Sequence, residues 1–294
     1  MGTMGFAGWC ALALVLSMVT GVGAWAQPNP QAGIEAAYKA ASAAMTEGPA
    51  DIKLADQATL KIVAGQAFVP TAEASKLLQA MGNRSGTDLL GMILPMGKAE
   101  WMVVARNVKA GYIKDDDARD WKADELLKDI REGTEQSNSE RKSRGIPEME
   151  IVGWVQPPTY DAAAQRLVWS LSSKDKGAPD SADKGVNYNT YALGREGYIS
   201  LNLVTEMKTI EQEKAVAHAL LASLNFNDGK RYADFNSSTD KIAEYGLAAL
   251  IGGVAAKKLG LLAVIGVFLL KFWKILLIGG VGIGALMAKF RKKK

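Results

Sequence analysis

The sequence has 294 residues with one cysteine and one histidine, and its formal net charge at pH 7 is +4. Nine of its 35 lysines and arginines lie from Lys257 onward, so the rest of the chain carries 26 basic and 31 acidic residues. A mildly acidic body lacks the clustered basic face that nucleic-acid binding requires, which argues against that function. The single cysteine and the single histidine exclude, within one chain, disulfides, histidine-based triads and multi-histidine metal sites.

Residues 1–26 have the pattern of a cleaved signal peptide. An apolar run from Phe6 to Val22 is followed by Ala24-Trp25-Ala26 and then by polar residues, as at an A-x-A cleavage site. Cys10 lies inside the apolar run and does not follow it, which argues against lipoprotein processing. We therefore expect export of the chain and cleavage after Ala26.

The body, residues 27–245, is expected to form one extracytoplasmic domain in which helices alternate with groups of strands. The predicted helices are 31–47, 71–81, 123–144 and one that opens with a capping box at 209–212. The predicted strands are 52–54, 58–63, 68–70, 88–94, 101–108, 149–155, 166–173, 186–193 and 198–205. Turn residues at 95–98 and 194–197 indicate two hairpins. The predicted fold class is α+β, an antiparallel sheet with covering helices.

Residues 246–294 are expected to form a hydrophobic membrane anchor with a basic cytoplasmic tail. This region contains no Asp or Glu, and a second capping pattern at 237–240 precedes it. We expect one transmembrane helix at about 266–288, with the final basic cluster in the cytoplasm according to the positive-inside rule. Gly280 and Gly284 have the G-x-x-x-G spacing that lets membrane helices pair, so a homo-oligomer through the anchor is an open alternative.

Several short stretches of the chain share the glycine, aromatic and carboxylate pattern of one family. They read GYIKDDD at 111–117, GW at 153–154, PP at 157–158, YD at 160–161, NYN at 187–189, LGR at 193–195, RYADF at 231–235 and YGLAA at 245–249. In these stretches the chain resembles domain-of-unknown-function family 2167, predicted membrane-anchored bacterial proteins. The resemblance implies the same exported, anchored arrangement and brings no catalytic residues with it.

One acidic group could in principle hold a hard cation through oxygen ligands. Its members are Asp115, Asp116, Asp117, Asp120, Asp124 and Glu125. The group fails the calcium-loop template, because Asp120 stands where glycine is needed and Leu126 where the bidentate glutamate should be. The same carboxylates would interact favourably with the dipole of the helix predicted from Ala123, and a partner-docking surface is a third interpretation. We expect no calcium site here.

Other candidate residues carry weaker signals. His218 lies on the flank of its predicted helix and is given no special role. The segment 154–161 is either a recognition loop or a turn between strands with Trp154 and Tyr160 folded onto the sheet. Ser-x-x-Lys, which occurs in acyl transferases, appears in polar surroundings that would not activate a lysine. Its four occurrences are Ser139/Lys142, Ser173/Lys176, Ser181/Lys184 and Ser238/Lys241.

Two functions from different classes remain. The first is a non-enzymatic envelope module at the cytoplasmic membrane, facing the periplasm or cell exterior, which binds the bilayer and an envelope protein or cell-wall component. The second is an envelope hydrolase or metal-dependent enzyme that uses Asp115, Asp117 or Asp161 as acid or base. No residue is assigned a catalytic, cofactor-binding or metal-binding role, and no cofactor is expected.

Overall fold

The computed structural model describes residues 30–252, except 120 and 144. The predicted signal peptide, transmembrane helix, glycine pair and basic tail lie outside these residues. The α-helices are α1 (Pro30–Ala44), α2 (Thr71–Ala80), α3 (Ala123–Ser143), α4 (Ile210–Ser223) and α5 (Ala248–Gly252). Among the described residues, no helix is both long enough and apolar enough to span a membrane.

Within residues 30–252, eleven strands form two antiparallel sheets, which confirms the predicted α+β class. The strands are β1 (Thr46–Glu47), β2 (Ala50–Leu54), β3 (Ala58–Ile62), β4 (Gln66–Pro70), β5 (Leu89–Pro95), β6 (Met102–Val108), β7 (Met149–Asp161), β8 (Arg166–Asp175), β9 (Gly185–Gly194), β10 (Gly197–Glu206) and β11 (Leu224–Phe226). The large sheet has the order β1-β4-β5-β6-β10-β9-β8-β7, and the small sheet has the order β11-β3-β2. Both predicted hairpins, β5–β6 and β9–β10, are present.

Side chains of the large sheet alternate between two buried faces, as the period of a strand requires. On one face, Tyr188 and Leu201 pack with α4 and the small sheet. The opposite face is covered by α1 and α2 over β4 to β6, and by α3 and α5 over β7 to β9. Strand β9 is buried along its whole length, because it lies inside the sheet and both of its faces are covered.

Neither predicted capping motif caps a helix in the structure. Helix α4 does begin after Thr209, but the backbone of this residue is helical and its side chain does not cap the first turn. The Thr209 hydroxyl instead donates to the carboxylate of Glu213 at 3.0 Å. The pattern at 237–240 does not head a helix, since α5 begins only at Ala248.

Neither a recognition loop nor a turn is present at 154–161, because this segment is the second half of β7. The expected folding of Trp154 and Tyr160 onto the sheet is confirmed, since both pack against its buried residues. The pairing of β7 with β8 shifts register on both sides of Gln156, so the strand bends through bulges. Strand β7 is the edge of the large sheet, where proline is tolerated because the outer side needs no ladder donor. The Pro157-Pro158 pair is therefore compatible with a strand at this position.

Candidate functional site

Most of the stretches that carry the family resemblance meet at one end of the large sheet. Side chains from three separate parts of the chain form one group there, which we call the aromatic–carboxylate cluster. Its members are Tyr112, Asp115, Asp117, Tyr160, Tyr232 and Phe235. The cluster lies where the chain leaves the body toward the apolar C-terminal region.

Tyr112 connects the aromatic members of the cluster. Its ring stacks on Tyr232, with centroids 4.4 Å apart, and on Phe235, with centroids 3.9 Å apart. Its backbone N–H donates to the Lys241 carbonyl at 2.8 Å, and its own carbonyl accepts from the Ala243 N–H at 2.8 Å. Because stacked pairs add about 0.5–1.5 kcal/mol each beyond their area burial, ring and backbone together hold the segment after Phe235 to the body.

Two tyrosine hydroxyls of the cluster act as hydrogen-bond donors. The Tyr160 hydroxyl donates to Asp115 Oδ2 at 2.8 Å, and the Tyr232 hydroxyl donates to the Ile113 carbonyl at 2.8 Å. Burial, followed by hydrogen bonding, raises the pKa of both phenols well above the usual range. Both groups therefore stay protonated near neutral pH, and the Asp115 carboxylate serves as an acceptor for Tyr160.

Asp117 binds the beginning of α5. Its Oδ1 accepts a hydrogen bond from the Leu247 N–H and its Oδ2 accepts one from the Ala248 N–H, both at 3.0 Å. Gly246 permits this approach, because a Cβ there would lie 2.5 Å from Asp117 Oδ2. A carboxylate at the start of a helix satisfies free amides and interacts favourably with the helix dipole. Asp117 was predicted to start α3, and the structure places it at α5 instead.

An ion pair beside the cluster fixes the segment that leads to α5. The Arg195 guanidinium, in the β9–β10 turn, binds both carboxylate oxygens of Asp240 at 2.7 and 2.8 Å. Asp240 also accepts the Asn236 N–H at 2.8 Å. These donors, Arg195 foremost, hold the pKa of Asp240 well below its usual range.

The remaining predicted carboxylates do not converge with this cluster. Asp161 accepts hydrogen bonds from the Ala163 and Ala164 backbone N–H groups at 2.9 and 3.1 Å, and so closes its own turn. Asp116, Asp124 and Glu125 are exposed, and Asp120 lies outside the described residues. In the part of the chain that the structure describes, no group of three or more His, Cys, Asp or Glu residues could hold a metal ion.

The NYN stretch forms a second polar group, on the face covered by α4. Tyr188 donates a hydrogen bond to Gln156 Oε1, and its oxygen lies 2.7 Å from His218 Nε2. Burial raises the pKa of Tyr188 to about 12, so the phenol is neutral at physiological pH. Sequence reasoning gave His218 no role and missed Gln156. The alternation of a strand was the available signal, since it places Tyr188 on the opposite face from Asn187 and Asn189.

The aromatic residues of β7 fold inward. Trp154 Nε1 donates to the Ala123 carbonyl at 3.2 Å, and its ring meets Trp169 edge-on, with ring centroids 6.2 Å apart.

Of the Ser-x-x-Lys lysines, Lys176 forms an ion pair with Glu135, and Lys184 donates to a backbone carbonyl of the same loop at 2.8 Å. Lys176 and Lys184 are thus both bound by acceptors of the protein itself.

The fold and the cluster define a class of α+β protein in which a helix-covered antiparallel sheet uses carboxylates to bind its own C-terminal segment. The chain belongs to the family described as "Protein of unknown function (DUF2167)", whose model matches residues 46–282. This match confirms the resemblance and covers the whole cluster and most of the apolar C-terminal region, but not α1. No curated protein matches the chain.

Proposed function

We propose that this chain is a membrane-anchored protein of the bacterial envelope whose extracytoplasmic body binds or scaffolds without catalysis. In this proposal residues 1–26 are a signal peptide, residues 27–245 form the body and residues 246–294 are the anchor. The aromatic–carboxylate cluster joins the body to the anchor, so that the orientation of the body at the membrane is set by the fold.

The observation that carries the proposal is the pair of hydrogen bonds from Leu247 and Ala248 to Asp117. Hydrogen bonds to a charged acceptor contribute about 1.5–3 kcal/mol each, more than a neutral pair. Leu247, Leu250 and Ile251 are buried in the same apolar cluster as α3, so α5 is packed against the body as well as capped. Such an attachment favours a fixed joint over a flexible linker.

The composition that follows α5 supports membrane insertion. Residues 253–288 contain only four charged side chains, all lysines. The segment 266–288 is long enough to cross about 30 Å of hydrocarbon at 1.5 Å per residue. Lys271 and Lys274 near its start can extend toward the outer interface, and the basic cluster after Ala288 favours a cytoplasmic end.

The hydrolase alternative is disfavoured because its candidate carboxylates already accept hydrogen bonds within the protein. A general acid or base needs a group free to exchange a proton with a substrate. Asp115 accepts from Tyr160, Asp117 accepts from two backbone amides, and Asp161 closes a turn. These bonds account for the residues that the enzymatic hypothesis named, and they favour a structural role for each of them.

The test compares Asp117→Asn with Asp116→Asn in the full chain, expressed in bacterial membranes and reconstituted in lipid nanodiscs. Asp116 is the neighbouring carboxylate and is exposed, so it controls for the loss of one charge. In Asp117→Asn we expect hydrogen exchange of the Leu247 and Ala248 amides to accelerate about 10- to 100-fold, from the loss of charge-assisted bonds. In Asp116→Asn the exchange rates should stay unchanged.

Membrane attachment is measured separately by carbonate extraction. We expect both variants and the wild type to stay in the membrane pellet, because the apolar segment is intact in all three. Release of the wild-type chain by carbonate would overturn the anchored assignment. Unchanged exchange in Asp117→Asn would overturn the role of the cluster as the joint.

A further inference from the structure

A cavity of about 740 Å³ opens between the small sheet and one end of the large sheet. Its walls come from the β2–β3 turn, the start of α2, the segment before β5 and the end of β6. This volume lies within the range of about 300–1,000 Å³ typical of small-molecule sites. The cavity is therefore large enough to hold a ligand.

The cavity wall carries two lysines and two aspartates, and they differ in their ion pairing. Asp88 forms an ion pair with Arg106 at 2.8 Å. Asp56 forms one at 3.3 Å with Lys230, which also pairs with Glu196 at 2.9 Å. Lys53 and Lys109 are exposed on the same wall, and neither forms an ion pair within the described residues. The two lysines are thus the charged side chains of the wall that are available to an anionic ligand.

The same wall offers apolar surface next to the lysines. Phe68, Leu90 and Val108 line the cavity, and the first of these belongs to the buried core below it. Ligand sites commonly combine an apolar lining with a few placed polar groups that fix the orientation of the ligand. The lysines would bind the charged end of a ligand, and the apolar side chains would contact its uncharged part.

We propose that this cavity binds a small anion, a carboxylate or phosphate, that carries an apolar group. The proposal rests on the proposed binding role of the body and names the class of ligand. It does not depend on the joint at Asp117. A lipid headgroup with its acyl chains and a free amphiphilic anion share this chemistry, and the experiment separates these two sources.

The experiment titrates the full chain, in nanodiscs of zwitterionic phosphatidylcholine, with hexyl phosphate and follows the heat of binding. We expect saturable binding, with inorganic phosphate and hexanol each at least about tenfold weaker because each lacks one half of the recognised chemistry. Lys53→Gln with Lys109→Gln should weaken hexyl phosphate about tenfold or more, through the loss of two charged contacts. The control pair, Lys61→Gln with Lys98→Gln, removes two exposed lysines outside the cavity and should bind like the wild type.

Each outcome of the titrations either supports or overturns the proposed site. Absence of saturable hexyl phosphate binding, or equal affinity of the two double variants, would overturn the site, and equally tight binding of inorganic phosphate would overturn the apolar component. Repeating the titration in nanodiscs with phosphatidylglycerol identifies the source: competition supports a lipid ligand, and an unchanged affinity supports a soluble one. These titrations are measured independently of hydrogen exchange at the Leu247 and Ala248 amides. A failure of ligand binding is therefore distinguishable from a failure of the proposed joint.

Discussion

The aromatic–carboxylate cluster and the cavity use the same kinds of side chain in opposite ways. In the cluster, Asp115 and Asp117 each accept hydrogen bonds from fixed donors of the protein, and a glycine gives room for the close contact. In the cavity, Lys53 and Lys109 stand exposed over apolar surface with no ion pair in the described chain. Charged groups that are satisfied internally stabilise a fold, whereas groups left without partners are available to a ligand.

The largest effect is expected from adding one methyl group to the joint. In Gly246→Ala the new Cβ would lie within 2.9 Å of three atoms of the Asp117 carboxylate, so the carboxylate must move and its bonds to α5 are lost. We expect the free energy of unfolding to fall by about 1–3 kcal/mol, as for other overpacked sites. Urea unfolding of the full chain, followed by tryptophan fluorescence, measures the change.

Gly153→Ala is the matched control for that substitution. Gly153 also belongs to a family-like stretch, but a Cβ there meets no atom within 4 Å. Its unfolding free energy should change by less than about 0.5 kcal/mol. Equal destabilisation by both alanines would show that the close contact at Gly246 is not what stabilises the joint.

A smaller effect is expected from pH at the ion pair beside the cluster. Because Arg195 lowers the pKa of Asp240 in the folded protein, the unfolded state binds a proton first as the solution is acidified. The stabilisation is complete above about pH 4, the usual carboxyl range, and is lost as the pH falls further through the folded pKa. Urea midpoints between pH 6 and pH 2.5 should therefore fall less steeply in Asp240→Asn than in the wild type or in Asp116→Asn. Parallel curves for all three proteins would contradict this assignment.

The smallest effect on stability is expected at the cavity. Lys53→Gln and Lys109→Gln remove exposed side chains without ion pairs in the described residues, so each should change the unfolding free energy by less than about 0.5 kcal/mol. Thermal unfolding of the double variant checks this directly. A strong destabilisation would indicate that the lysines belong to the structural framework, as the cluster residues do.

Local signals in the sequence predicted most of the fold. The β5–β6 and β9–β10 hairpins were predicted correctly because their turn residues lie between strands that pair with each other directly. Strand β7 was predicted too short, because Pro157-Pro158 was interpreted as a turn. Whether proline ends a strand depends on whether that strand is central or at an edge, which only the order of strands in the sheet decides.

The candidate site could be predicted only in part. Asp115 and Asp117 were identified as notable carboxylates, but their partners, Tyr160 and α5, lie 45 and about 130 residues away along the chain. No periodicity or spacing rule links such positions, since the fold alone brings them together. The contact of Tyr188 with His218 was missed for the same reason, because it joins a central strand to a helix that follows the next strand.

The separation between Asp117 and α5 also has a consequence for the order of folding. Hairpins close over a few residues, whereas a contact between positions 130 and 131 apart gains nothing until the strands between them have paired. The amides of Leu247 and Ala248 should thus be among the last to become protected as the chain folds. Their protection serves as a natural reporter that the whole body has reached its native topology before α5 is fixed in place.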